Sequence, residues 1–391
     1  MTVRIPSPPS DRHLAEDRAL LIPPFRLEPP PERRVGRYTV RLLGPEENGP
    51  ARALYALTGD PIPPEDVWLW RFYSRNPELA HVAATFDDRG ELAGLYPCVA
   101  RPIRVGGRDL MTLQACRTIV HPDHRWGGRV FYLTAMYSHD RVRALGIPFA
   151  FGGGANEAAV KVGSRLVAYT LMQQLEVRER RLSLRLALQR RLGRAGAFLG
   201  DALRLLAPGG RRRDAGGFEV APVLEAGAEF DRLWERKRDA YPAVLRRDAR
   251  EVEWRWFRCP VPAVLLAARK GGELEGYAAL RHQAEGPARI TTILDLFAGR
   301  DLQATATLLE AAGEEARREG SDFLQFAPSP NGALFASLQR KPWRRARRPL
   351  DHVIFRDLCP EPGRAGLEKE MAIVKNGSNW FYCQGDSDFR D

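Results

Sequence analysis

The chain has 391 residues, 44% of them hydrophobic, which is enough for two packed domains and too apolar for a disordered protein. A formal net charge of +11 favours anionic partners: phosphate-bearing cofactors, nucleic acid or an acidic membrane face. Five scattered cysteines without a CxxC pair, seven histidines without HExxH spacing, and no run of about 18 apolar residues argue against a disulfide framework, a metal site and a membrane span, and fit a reducing cytoplasm.

Residues 1–37 are rich in proline and charge and read as a disordered arm. From Tyr38 the pattern becomes globular. Tyr38–Leu43 alternates as a strand, and helices are predicted near Pro45–Leu57 and Pro64–Ser74. His81–Phe86 and Leu92–Val105 are strands joined by the turn Asp87-Asp88-Arg89-Gly90. Pro97 and Pro102 mark the second of them as an edge or bulged strand. Leu110–Val120 is a third strand, Gly127–Leu145 a helix stopped by Gly146, and Ile147–Phe151 a short buried strand. A glycine turn, Gly152–Gly154, leads into a further helix from Asn156.

Between Leu171 and Gly216 there are 11 arginines against four acids, +7 of the net +11. Within it, residues 182–206 place Leu184, Leu188, Leu192, Leu199, Leu203 and Leu206 on one helical stripe. That stripe serves either a peripheral membrane contact or packing of a linker helix on a domain. The second half then repeats the architecture of the first at an interval of about 175–180 residues: strand, two helices, three strands, the helix Asp301–Glu319 and the strand Phe323–Phe326. The boundaries expected are an arm over 1–37, a first domain over 38–180, a basic helix and linker over 181–216, a second domain over 217–358 and a packed tail over 359–391. The fold class is α+β, with two domains that each fold a mixed, mostly antiparallel sheet flanked by helices.

The segment His121-Pro122-Asp123-His124-Arg125-Trp126-Gly127-Gly128-Arg129-Val130 lies between a strand and a helix. A basic, glycine-containing turn that opens a helix leaves N–H groups unpaired beside the positive end of the helix dipole, which suits a pyrophosphate. The segment resembles motif A of the GNAT (Gcn5-related) N-acetyltransferases, Arg/Gln-x-x-Gly-x-Gly/Ala after Val-x-Pro. Arg125, Gly128 and Val120-His121-Pro122 match, and Val130 stands where the family has a small residue. Asn156-Glu157-Ala158-Ala159 with Arg165-Leu166-Val167 resembles the family's later Asn-x-x-Ser/Ala…Lys-Leu-Gly motif, with Val167 in place of glycine.

The resemblance implies an acyl-CoA-dependent N-acyltransferase using acetyl-CoA or another acyl-CoA, without a metal, and a small-molecule amine as acceptor. Thr118, Ile119 and Val120 would hold the pantetheine arm, while Arg125, Gly127, Gly128, Arg129 and Val130 would bind the pyrophosphate. Asn156 would contact the arm near the thioester. The family's acid is often a tyrosine on the helix after that asparagine. None lies between Asn156 and Leu166, which leaves Tyr169 as candidate acid and Asp123 or His121 beside the loop as candidate base, unless these are packing or capping residues. Cys116 is either a nucleophile or a small buried hydrophobe.

At the matching junction of the second half, Phe297-Ala298-Gly299-Arg300-Asp301-Leu302, Asp301 reads as an N-cap whose charge repels phosphate, so this half is expected to lack CoA binding. The tail carries Trp380, Asp386 and Asp388, which either line a cleft for a cationic amine or form an edge strand with a charged end. Two other functions compete: a non-catalytic binding protein on the same fold, and aminoacyl transfer from charged tRNA. The retained CoA loop argues against nucleic acid.

Overall fold

The computed structural model describes residues 9–206, 216–330, 332–359 and 366–387. Its strands form two mixed sheets. In spatial order the first contains Arg33–Val35, Tyr38–Leu42, His81–Phe86, Leu92–Val105, Arg108–Ala115, Phe149–Ala155, Asp351–Asp357 and Thr170–Leu175. Neighbours run antiparallel except Arg108–Ala115 and Phe149–Ala155, which are parallel and joined by the crossover helix Arg129–Ala144. That helix buries Val130, Thr134, Tyr137, Ser138 and Val142 against the sheet, at the spacing of one helical face. The turn after His81–Phe86 closes because the Asp87 carboxylate accepts from the N–H groups of Arg89 and Glu91, at 2.9 Å each, while Gly90 takes φ 80°.

The second sheet repeats the plan: Phe218–Val223, Val264–Lys270, Glu273–Glu285, Ala288–Phe297, Phe323–Phe326, Arg178–Arg181 and Trp343–Arg345. Again one pair is parallel, Ala288–Phe297 with Phe323–Phe326, bridged by the helix Leu302–Arg318. The two sheets exchange a strand. Arg178–Arg181 leaves the first half and lies between Phe323–Phe326 and Trp343–Arg345. Asp351–Asp357 leaves the second half and lies between Phe149–Ala155 and Thr170–Leu175. The boundaries 38–180 and 217–358 therefore follow the sequence repeat, whereas each sheet is built from both segments.

Three other expectations are corrected. Within 1–37, residues 9–37 are ordered, not a disordered arm. Ser10 caps the helix Asp11–Arg18, buried Asp17 pairs with Arg75 and Arg250, and Leu20 and Leu21 enter the core. Prolines leave an extended chain with carbonyls lacking strand partners, and Arg141 satisfies those of Arg26, Leu27 and Glu28. Leu92–Val105 is central rather than an edge. It changes neighbours near Cys98, pairing up to that residue with His81–Phe86 and from it onward with Arg108–Ala115, and its two prolines fall around the change-over. Finally, the basic helix Arg185–Leu206 breaks at Gly193 (φ 62°, ψ −141°). Its second limb folds back so that Gly200 lies against the Arg185 backbone, leaving Leu184, Leu192, Phe198, Leu199 and Leu203 facing solvent.

Because the first sheet needs 351–357, a fragment ending at residue 206 lacks the strand that joins Phe149–Ala155 to Thr170–Leu175. Such a fragment is expected to show no cooperative thermal transition by near-UV circular dichroism, and co-expression with residues 207–391 should restore one. A sharp transition in the fragment alone would contradict this dependence.

Candidate functional site

The parallel pair in the first sheet is short: Leu113 faces Ala150, Gln114 faces Phe151 and Ala115 faces Gly152. Beyond that register the strands part. Arg117 adopts φ 47°, a left-handed conformation that costs a non-glycine residue about 1–2 kcal/mol. It turns the chain so that Ile119–Val120 joins Gly94–Leu95, while Ala155 pairs away from the gap with His352. The result is a wedge between the two strands, and Thr118 and Val120 are accessible on one of its walls.

At the wide end stands the glycine loop. Gly127 and Gly128 take φ 69° and 66°, Gly128 being the residue before the helix Arg129–Ala144, with no side chain capping that helix. Its first N–H groups are thus left for an anion. A Cβ on Gly128 would stand 2.5 Å from Leu166 Cδ1, whereas one on Gly127 would meet nothing. Arg125 Nε donates to the Val120 carbonyl (3.1 Å), and the Arg129 guanidinium lies 5.8 Å from the Tyr38 ring centre. Val130, which departs from the family pattern, points away from the loop. It is fully buried, against the site where Gly94 has no side chain (a Cβ there would be 2.6 Å from Val130 Cγ1), so only its backbone faces the loop. Asn156 caps the helix Glu157–Val167 with Oδ1, accepting from Ala159 N–H at 2.8 Å.

The candidates for proton transfer fare differently. Tyr169 is buried, its hydroxyl bonded to that of Tyr96 and its ring packed beneath Gly163. Burial raises its pKa beyond the range of an acid at neutral pH. It is a core residue and does not reach the wedge, because the chain turns inward after the helix that ends at Val167. Asp123 is exposed on the loop, and its N–H donates to His121 Nδ1 (3.2 Å). Of the tail residues, Trp380 is buried and donates to the Val374 carbonyl (2.9 Å), so it lines no cleft. Asp386 is buried and held by Arg247 at 2.6 Å and Arg255 at 3.0 Å, which leaves it no part in binding a cationic amine. Asp388 lies outside the described residues.

The tail instead connects the halves. Trp380–Phe381 pairs with Ala243–Val244, which pairs with Leu92–Val105. Gly385 then packs on the Leu294 carbonyl of the second sheet, and the Asp386 carbonyl accepts from Gln114 Nε2 (2.9 Å) at the first. The second sheet's own parting of strands is thereby filled, and Asp301 occupies the following helix terminus, accepting from Gln303 and Ala304 N–H. Beside the first wedge a cavity of about 20 Å³ is lined by Arg71, Arg101, Gln114, Cys116, Arg255 and Ser387, among others. The arginines belong to no motif. The available signal was the recurrence of Trp70-Arg71-Phe72 as Trp254-Arg255-Trp256 in the second half. The two tryptophans stack at 5.1 Å where the halves meet, and Trp70 Nε1 donates to the Trp254 carbonyl (2.9 Å). A larger cavity, about 820 Å³, lies elsewhere, near Leu27, Tyr73 and Arg141, and includes none of the loop or wedge residues.

No protein-family model and no curated protein sequence matches the chain. Solved structures do. A GCN5-related N-acetyltransferase from Anabaena variabilis is 13% identical, with TM-score 0.59 over 82% of this chain and 73% of its own. The fold is that of the GCN5-related N-acetyltransferases. Eis1 from Mycobacterium abscessus is 17% identical, with TM-score 0.52 over 87% of this chain and 76% of its own. Saccharomyces cerevisiae N-myristoyltransferase, solved with bound myristoyl-CoA, is 10% identical, with TM-score 0.57 over 85% of each chain.

The loop geometry sets a contrast between adjacent glycines. Gly127→Ala is expected to lose about 1 kcal/mol of stability to left-handed strain alone. Gly128→Ala should lose more, because Leu166 must also move. Urea denaturation of the two variants measures the difference; equal losses would show that the contact with Leu166 is not tight.

Proposed function

We propose that the protein is an acyl-CoA-dependent N-acyltransferase whose first half binds the cofactor. The observation that carries this reading is the wedge between Arg108–Ala115 and Phe149–Ala155 opening onto an uncapped helix terminus with two left-handed glycines. The backbone of Thr118, Ile119 and Val120 would pair with the pantetheine amides. Arg125, Gly127, Gly128, Arg129 and the Val130 N–H would meet the pyrophosphate, and Asn156 would offer Nδ2 to the arm. In direct transfer the acceptor ammonium gives up one proton to solvent, its nitrogen attacks the thioester carbonyl, the C–N bond forms, the C–S bond breaks, and the second proton lost by the nitrogen is balanced by one taken up by the thiolate. Acetyl-CoA is the first donor to test, and the myristoyl-CoA seen in the yeast neighbour makes longer acyl chains the second.

Isothermal titration of the full chain with acetyl-CoA should give saturable binding. Gly128→Asp places a carboxylate at the phosphate site and should weaken it by about 100-fold or more, while Tyr169→Phe should leave it unchanged. Absence of binding at millimolar acetyl-CoA overturns the reading.

The broken basic helix favours a second property, peripheral contact with anionic membrane. Phe198 is 77% exposed, and it and the outward leucines lie beside Arg190, Arg191 and Arg194. This pairing of apolar and cationic groups suits a headgroup boundary. The chain should co-sediment with phosphatidylserine vesicles, and Phe198→Asp with Leu192→Asp should release it. Equal recovery on pure phosphatidylcholine would remove the electrostatic part of the argument.

A further inference from the structure

The turn between the first two strands, Val35-Gly36-Arg37-Tyr38, lies against the glycine loop. Gly36 takes φ 62°, and the Arg129 guanidinium packs on it: a Cβ there would stand 3.1 Å from Arg129 Nη2. Arg129 lies 5.8 Å from the Tyr38 ring centre and Arg37 lies 5.1 Å from the same centre, with Arg37 Nη2 donating to the Tyr38 hydroxyl (3.0 Å). The ring is buried, and its hydroxyl is bonded to His124 Nδ1 (3.1 Å), which ties the hairpin to the loop.

Two guanidiniums therefore share one ring, and among the described residues neither forms an ion pair with a carboxylate. Other arginines of the same two strands do: Arg33 is 3.1 Å from Asp140, and Arg41 is 2.6 Å from Glu47. Asp87 and Asp88 lie near Arg37 without pairing with it. Asp87 is already engaged by the N–H groups of Arg89 and Glu91 and stands 3.7 Å from His124 Nε2. Two exposed cations held around one ring repel each other, and a doubly charged anion between them would reverse the sign of that interaction. Beside them Trp126 is 94% exposed and joins none of the apolar clusters. An indole ring standing in water next to cations is a platform for a flat base.

Position narrows the ligand. The uncapped helix terminus at Gly128 immediately precedes Arg129, whose N–H stays at that terminus while its guanidinium turns to the hairpin. Two anionic groups and a base are thus accommodated side by side. CoA carries them on one sugar: the pyrophosphate on the 5′ oxygen, a phosphomonoester of about two negative charges on the 3′ oxygen, and adenine.

We propose that Arg37 and Arg129 bind the 3′-phosphate of CoA and that Trp126 stacks on its adenine, so that the N-terminal hairpin makes the protein discriminate against cofactors without that phosphate. The proposal rests on the acyltransfer reading above. It adds that adenosine 3′,5′-bisphosphate, which has no pantetheine arm, binds by itself.

Calorimetric titration of the full chain separates the two readings. CoA should bind roughly 10-fold or more tightly than dephospho-CoA, which lacks the 3′-phosphate. Arg37→Gln, at an exposed position, should weaken CoA by that factor and leave dephospho-CoA unchanged. Trp126→Ala should weaken CoA, dephospho-CoA and adenosine 3′,5′-bisphosphate by roughly 10-fold each. Inorganic phosphate should bind far more weakly than the bisphosphate nucleotide. Equal affinity for CoA and dephospho-CoA, or an Arg37→Gln effect of equal size on both, overturns the 3′-phosphate site and leaves the acyltransfer reading standing. Inorganic phosphate binding as tightly as the nucleotide, or Trp126→Ala without effect, overturns the stacking. Arg37-dependent binding of adenosine 3′,5′-bisphosphate without binding of CoA or acetyl-CoA overturns the acyltransfer reading and leaves a nucleotide site. No binding of either overturns both.

Discussion

Reciprocal exchange of one strand is the constraint on which this molecule rests. Arg178–Arg181 and Asp351–Asp357 each sit between two strands of the other half, so neither sheet has an unbroken ladder without both segments. The exchange ties the halves into a paired arrangement in which equivalent turns meet, Trp70 on Trp254. It also brings three arginines from distant parts of the chain to one wall. What faces the cavity is therefore a product of the pairing and belongs to neither half alone.

Within that near-symmetry the two halves diverge at one place. Both sheets have a short parallel pair that parts, but only the first leaves the gap open toward an uncapped glycine loop. In the second the tail enters the gap, with Asp386 fixed by Arg247 and Arg255, all three buried. Charges so buried add little net stability relative to apolar packing, yet removing one partner strands the other at a cost of about 3–5 kcal/mol. The cluster thus acts mainly to hold the tail at one depth, which sets where Gly385 and Ser387 stand beside the cavity.

Features governed by local chemistry were legible in the sequence. Phe323–Phe326 and the turn at Asp87–Gly90 follow from apolar runs and carboxylate–backbone bonding, and the left-handed pair Gly127–Gly128 from glycine's freedom. Features that depend on distant partners were not. Arg-Glu-Arg-Arg at 178–181 has no alternation of apolar and polar residues, and it is a strand because two neighbours supply its hydrogen bonds. Val130 departs from the family pattern harmlessly because Gly94, 36 positions earlier, leaves it room. Tyr169 was close in sequence to the expected acid, but a residue past the end of a helix need not share that helix's exposed face. Arg101 and Arg255 meet across 154 positions, a separation no spacing pattern reports.

The exchanged strand also orders events at birth. A ribosome releases the glycine loop and its helix by residue 144, but the sheet beneath them is incomplete until residue 357 has emerged. More than 200 residues must wait in a partly folded state, with Phe149, Phe151 and Leu175 beside an empty slot, before the slowest, most distant pairing closes it. Maturation of the first half is therefore timed by synthesis of the second, which makes nascent chains stalled in the second half the form most exposed to chaperones and proteases.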